Sequence, residues 1–124
     1  MTVQMDFDKL VSLITPADSL RIDRRALINS INHDGIKLKQ VICMEELAEL
    51  TQATSKALRG KLNRENMIEE IADVLICIEM LKIMYGINVH DIQTRIDAKI
   101  ERQKERDTDE QTTGESVRAD KALL

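Results

Sequence analysis

Apolar residues recur along most of this chain at helical spacing, and the breaks in that pattern divide it into a few long segments. Over residues 36–59, Leu38, Val41, Ile42, Leu50, Ala53, Ala57 and Leu58 follow one another closely enough to helical intervals to define a buried face. Gly60 ends this helix, and Asn63 is an N-cap for a second, over residues 64–85. The short connection at residues 60–63 makes the two helices antiparallel neighbours. The latter half of the second helix, VLICIEMLKIMY, is apolar nearly all round. A helix of that kind is buried on more than one side. A domain this small can hardly surround it, so residues 74–87 are expected to pack against a second copy of the chain, as a dimer or tetramer. Gly86 closes the second helix. Asn88, with Asp91 at the capping-box position, opens a third and highly charged amphipathic helix over residues 89–106.

The ends are less regular. Phe7, Leu10, Val11, Leu13 and Ile14 predict a short amphipathic helix stopping at Pro16. A second short helix follows Asp23, with Ala26, Leu27 and Ile31 facing inward, and Gly35 is suited to a left-handed C-terminus. From Asp107 onward, DTDEQTTGESVRADKALL is polar and aperiodic and is expected to be a mobile tail. The expected organisation is therefore N-terminal short helices at 1–34, an antiparallel all-α helical bundle at 35–106, and a tail at 107–124.

Composition sharpens this picture. The 124 residues are 43% hydrophobic but only 2% aromatic, so one domain with an aliphatic core is expected. A net charge of −4 argues against binding to a nucleic acid polymer, which requires a basic face. Cys43 and Cys77 lie in apolar helical stretches without a CxxC pair, and are read as buried reduced thiols. The N-terminal residues carry no basic stretch followed by an apolar run, and the most apolar segment is shorter than a bilayer span and contains Glu79 and Lys82. A cytoplasmic location without membrane association is the expectation.

The candidate chemistry lies in two acidic motifs, Glu45-Glu46-Leu47-Ala48-Glu49 and Glu69-Glu70-Ile71-Ala72-Asp73, one on each long helix. At 100° per residue, Glu46 and Glu49 share one face and Glu70 and Asp73 share another. An isolated E-x-x-E is ordinarily a solvated face paired with lysines. Here Glu45, Glu46 and Glu49 are followed four residues on by Glu49, Leu50 and Ala53, and Glu70 and Asp73 by Val74 and Cys77, so the usual partners are missing. Carboxylates brought together from two helices repel unless protonated or bridged by cations, and Mg²⁺ favours such an oxygen-rich, partly hydrated site. A di-iron bundle would need Glu-x-x-His pairs, but the residues three before His33 and His90 are Ser30 and Ile87. Both histidines fall at helix ends, in exposed or capping positions.

The spacing Glu45-Glu46-x-x-Glu49 followed by Glu70-x-x-Asp73, within MEELAELTQA and ENMIEEIADVLICIEML and downstream of Gln40, resembles the EExxE…ExxD signature of the MazG-like all-α nucleoside triphosphate pyrophosphohydrolases. The resemblance covers residues 35–106. It implies Mg²⁺, with Mn²⁺ as a substitute, held by Glu46, Glu49, Glu70 and Asp73. It further implies hydrolysis of (deoxy)nucleoside triphosphates to monophosphate and pyrophosphate, with Glu49 handling the attacking water and Glu45 as a nearby acid that tunes the site. Lys99, Arg102 and Arg106 would be the phosphate ligands implied by similar family members, and Lys56 near the inter-helix loop is a second option. Asn66 is read as a capping position. With Phe7 and Tyr85 as the only aromatics, base stacking of the kind common in the superfamily has few candidates. Two alternatives are a phosphoribosyl-ATP pyrophosphohydrolase and a non-catalytic helical oligomerisation module whose acids are surface charge.

Overall fold

The computed structural model describes residues 6–12 and 19–112, which form five helices and no strand: α1 (Phe7–Ser12), α2 (Arg24–Asp34), α3 (Ile36–Leu58), α4 (Arg64–Tyr85) and α5 (Val89–Thr112). The expected continuation of the first helix through Leu13 and Ile14 to Pro16, and the residues beyond Thr112, lie outside the described residues.

The helix boundaries follow from local chemistry. Asp23 caps α2 by accepting a hydrogen bond from the Ala26 amide at 3.2 Å, and Asn63 caps α4 by accepting one from the Asn66 amide at 3.1 Å. Each satisfies one of the donors that the first turn leaves free. Gly86 ends α4 in the left-handed conformation, φ 62° and ψ 38°. Gly35 also has positive φ, but its ψ of 155° is extended rather than left-handed helical, because α3 starts at the next residue. Asn88 opens α5 through its side-chain oxygen, which accepts from the His90 amide at 2.7 Å. α5 continues to Thr112, six residues past the expected end at Arg106, so the first part of the polar tail is helical.

α3 and α4 form the expected antiparallel hairpin, and α2 lies across one end of it, against both helices. Among the described residues the main buried cluster is small: Ile31, Cys43, Cys77 and Met80, with Leu27, Leu81, Ile83 and Met84 packed around it; Ala53 and Val74 are buried outside it. The inner line of α3 runs through Lys39, Cys43, half-buried Glu46 and Leu50, and Ala53. This corrects the expected face. Leu38, Val41 and Leu58 are exposed, because among the described residues α3 packs chiefly on α2 and α4 and has apolar residues on more sides than those two helices cover; Ala26 on α2 is exposed as well. Polar ties hold the three helices in register. Buried Lys39 contacts Asp34 Oδ2 at 2.7 Å, and Glu79 takes both Lys82, at 2.9 Å, and Arg24 of α2, at 3.4 Å. Neither α1 nor α5 packs along another described helix.

Candidate metal centre

The register of the hairpin decides which side chains meet. Cys43 and Cys77 stand level, with the Cys43 thiol donating to the Cys77 carbonyl at 3.8 Å, and Gln40 donates to the Tyr85 hydroxyl at 2.7 Å further toward the covered end. One turn on from Cys43 is Glu46, and one turn back from Cys77 is Asp73. A further turn away from α2 brings Glu49 and Glu70. The four acids therefore converge just beyond the core, where the hairpin has lost its third helix.

One carboxylate oxygen from each of Glu46, Glu49, Glu70 and Asp73 lies within 4.8 Å of the other three. Glu46, Glu70 and Asp73 are half-buried and Glu49 is exposed. Among the described residues no lysine or arginine forms an ion pair with any of the four. Oε2 of Glu46 and Oε2 of Glu70 are buried without a hydrogen-bond partner, a costly state for a polar atom. The electrostatics follow. Burial, reinforced by the Asp73 and Glu49 carboxylates, pushes the Glu46 carboxyl up to about 7. Burial raises Glu70 as well, with Glu49, Asp73 and Glu69 adding to it.

Comparisons with known protein families, curated proteins and solved structures find no match to this chain. The chemistry of the site must be argued from its own geometry.

That geometry fits a divalent cation. Oxygens on opposite sides of an octahedral Mg²⁺ stand about 4.2 Å apart, twice a bond length of about 2.1 Å. The observed cluster is within a small inward movement of that size. A cation would supply the missing partner for both orphaned oxygens and offset the burial and repulsion that raise Glu46 and Glu70. The neighbouring thiols take no part in the cluster. Cys77 is pushed up to about 12, first by burial and then by its contact with Cys43, so it stays a protonated, unreactive thiol at neutral pH.

The remaining sequence candidates are placed differently. Glu45 is exposed, 100° around α3 from Glu46, and stands outside the four-acid cluster. Lys56 is exposed two turns beyond Glu49 on the same face of α3, toward the hairpin tip. Lys99, Arg102 and Arg106 are exposed on α5, which packs along no other described helix, so one chain alone does not bring them to the acids. His33 and His90 are exposed at helix ends as expected, His33 hydrogen-bonded to Asp34 at 2.7 Å. Sequence reasoning missed buried Lys39. Its spacing to Cys43 and Glu46, four and seven residues, was the available signal that it lies on the inner line.

Proposed function

We propose that this chain is a Mg²⁺-dependent nucleoside triphosphate pyrophosphohydrolase of the MazG-like kind. The observation that carries the proposal is the convergence of Glu46, Glu49, Glu70 and Asp73 with two buried oxygens lacking any partner. Such a set has no purpose in a core and fits a divalent cation bound to a polyphosphate. The motif spacing supplies the reaction class.

In this reading Glu46 and Glu70, the inner pair, and Asp73 hold the ion, and Glu49 reaches both the ion and solvent. Mg²⁺ when bound would neutralise phosphate charge and polarise the α-phosphorus toward attack. Exposed Glu49 is placed to orient a water and accept its proton, with Glu45 adding negative potential from the next face. Monophosphate and pyrophosphate are the products. Lys56 is one candidate phosphate contact. Lys99, Arg102 and Arg106 would contribute from a second copy, whose docking would also cover apolar surface. Among the described residues, six hydrophobic residues are buried, against twenty-one large ones that are exposed, including Ile68, Ile71, Ile78 and Tyr85 on α4. Homo-oligomerisation is thus part of the proposal. Among the described residues no helix is long and apolar enough to cross a membrane. The free buried thiols accord with a reducing cytoplasmic setting.

Incubation with Mg²⁺ and each of the eight common ribo- and deoxyribonucleoside triphosphates, with phosphoribosyl-ATP alongside, tests the proposal. Pyrophosphate release that disappears in Glu70→Gln is expected. Release of orthophosphate, or full turnover by Glu70→Gln, would refute it. Oligomers that bind no nucleotide in the presence of Mg²⁺ would instead favour the oligomerisation module, for which the exposed apolar surface is the motivating observation.

A further inference from the structure

Two ribs of uncharged residues run along the α3–α4 hairpin. On α3, Gln40, Met44, Leu47, Thr51, Thr54 and Leu58 alternate steps of four and three. On α4, Met67, Ile71, Val74, Ile78, Leu81 and Tyr85 do the same. Strict alternation of this kind is the pattern of a seam between packed helices. The seam is not the one that α3 and α4 make with each other, which runs through Lys39, Cys43 and Glu46 on α3 and through Glu70, Asp73 and Cys77 on α4. Each rib lies about 90° around its helix from that inner line, in the same rotational sense, so antiparallel packing brings both ribs to one side of the hairpin. The hydrogen bond from Gln40 to Tyr85 ties them together at one end. α2 lies on the other side, where Ile31 and Leu27 join Met80 in the core cluster and Arg24 meets Glu79. Among the described residues neither α1 nor α5 packs along the ribs, and Met44, Leu47, Leu58, Ile71, Ile78 and Tyr85 stand exposed on them.

We infer that this two-ribbed face docks on the same face of a second copy, so that two hairpins close a four-helix bundle across a two-fold axis. The inference rests on the oligomer part of the reading given above and names its surface. Charge selects a second copy as the occupant. A face that meets its twin must carry no unpaired charge, since like charges would be brought together across the axis. The ribs carry no charged residue, in a chain of which 32% is charged. Their polar groups are satisfied within the chain. Thr51 and Thr54 donate to the Leu47 and Leu50 carbonyls at 3.0 and 2.9 Å, and Gln40 donates to Tyr85 at 2.7 Å. The area also suffices. With Ile36 and Ile68 beside the ribs, the exposed apolar side chains offer on the order of 800 Å² per copy, the share that each partner gives to a stable interface. Glu49 and Asp73 lie around their helices in the opposite sense, toward the side of α2, so docking leaves the acid cluster open.

The test is light scattering on the full chain at micromolar concentration, with two double variants whose folding is established by thermal melts. Met44→Lys with Thr51→Lys sets like charges against each other across the axis and should weaken self-association at least about hundredfold, so that the molar mass halves. Leu38→Lys with Val41→Lys changes exposed residues on other sides of α3 and should leave the mass of the unmodified chain. A mass unchanged by the first pair, or halved by the second as well, would overturn the inference. So would an unmodified chain that is monomeric, and the face would then belong to a different protein or to the N-terminal segment of this one. Calorimetry with Mn²⁺ on the same samples separates this outcome from the metal centre. A monomer that binds Mn²⁺ would remove the interface and leave the acids standing, whereas a dimer that dissociates as expected but binds no Mn²⁺ would remove the metal centre and uphold the interface. If the first pair does not fold, Thr54→Lys on the same rib decides.

Discussion

Metal binding at the four acids should release protons, and the number released can be worked from the electrostatics of the site. Without a cation the Glu46 carboxyl stands at about 7, raised first by burial and then by Asp73 and Glu49. A group with that value is about 0.9 protonated at pH 6 and about 0.1 protonated at pH 8. A divalent ion requires the carboxylate, so binding at pH 6 should expel about 0.9 proton from Glu46 alone. Glu70, raised by burial and by Glu49, adds to that figure. Apparent affinity should fall about tenfold for each pH unit below 7 for each proton displaced, and flatten above pH 7. The assay is titration of Mn²⁺ at pH 6 and pH 8, each in two buffers of different ionisation heat, so that the difference in observed heat counts protons. Glu46→Gln should bind more weakly and lose about 0.9 proton of the release at pH 6. Binding with no proton release at pH 6 would refute the reasoning, since it would mean that the carboxylates do not crowd one another in a partly dry site.

Three further outcomes follow from the same structure. Because Glu46 and Glu70 are raised in the folded chain, that state binds more protons than the unfolded one from about pH 4.5 to about pH 7, so stability must fall as pH rises through the window. The melting temperature in chelator should therefore drop between pH 5 and pH 7.5, and Mn²⁺ should raise it more at pH 7.5; a metal-free melting temperature that climbs over this range would contradict the site. Ile31→Ala removes the α2 contribution to the four-residue buried core and should cost about 2–4 kcal/mol in urea unfolding, whereas a loss under 0.5 kcal/mol would mean that α2 is not packed on the hairpin. Light scattering at micromolar concentration should find a dimer or tetramer, shifted toward monomer by Ile71→Glu together with Ile78→Glu, two exposed α4 residues; an unmodified chain that is monomeric would remove the second copy from the proposed site.

The helices were legible because their ends carry explicit chemistry. Asp23, Asn63, Gly86 and Asn88 each act locally, through a side-chain oxygen on a free amide or a left-handed backbone, and local signals survive in a one-dimensional reading. The acid cluster was legible for a related reason. Two motifs on adjacent antiparallel helices can differ in register by only a few residues before a loop as short as residues 60–63 forbids the pairing, and the level of Cys43 with Cys77 fixes the remainder. The inward face of α3 was harder, because a helix with apolar residues on several sides gives no unique direction until its neighbours are known. Lys39, Cys43 and Glu46 turn inward while Leu38 and Val41 face out. That inversion bears on the site. A strictly apolar inner line would have packed shut, whereas a line that passes from a paired lysine through a thiol to the partnerless carboxylate of Glu46, set against that of Glu70 on α4, keeps the hairpin tight at the end covered by α2 and leaves it in electrostatic tension at the other. Residues 19–23 carried no such signal, since they have neither period nor motif, and their place beside Ala72 and Ile76 follows from the packing of α2 on α4 through Ile31, Leu27 and the Arg24–Glu79 pair. Chemistry carried by side chains at helical spacing can be read before the fold is known, but the direction in which an all-round apolar helix turns depends on its tertiary contacts.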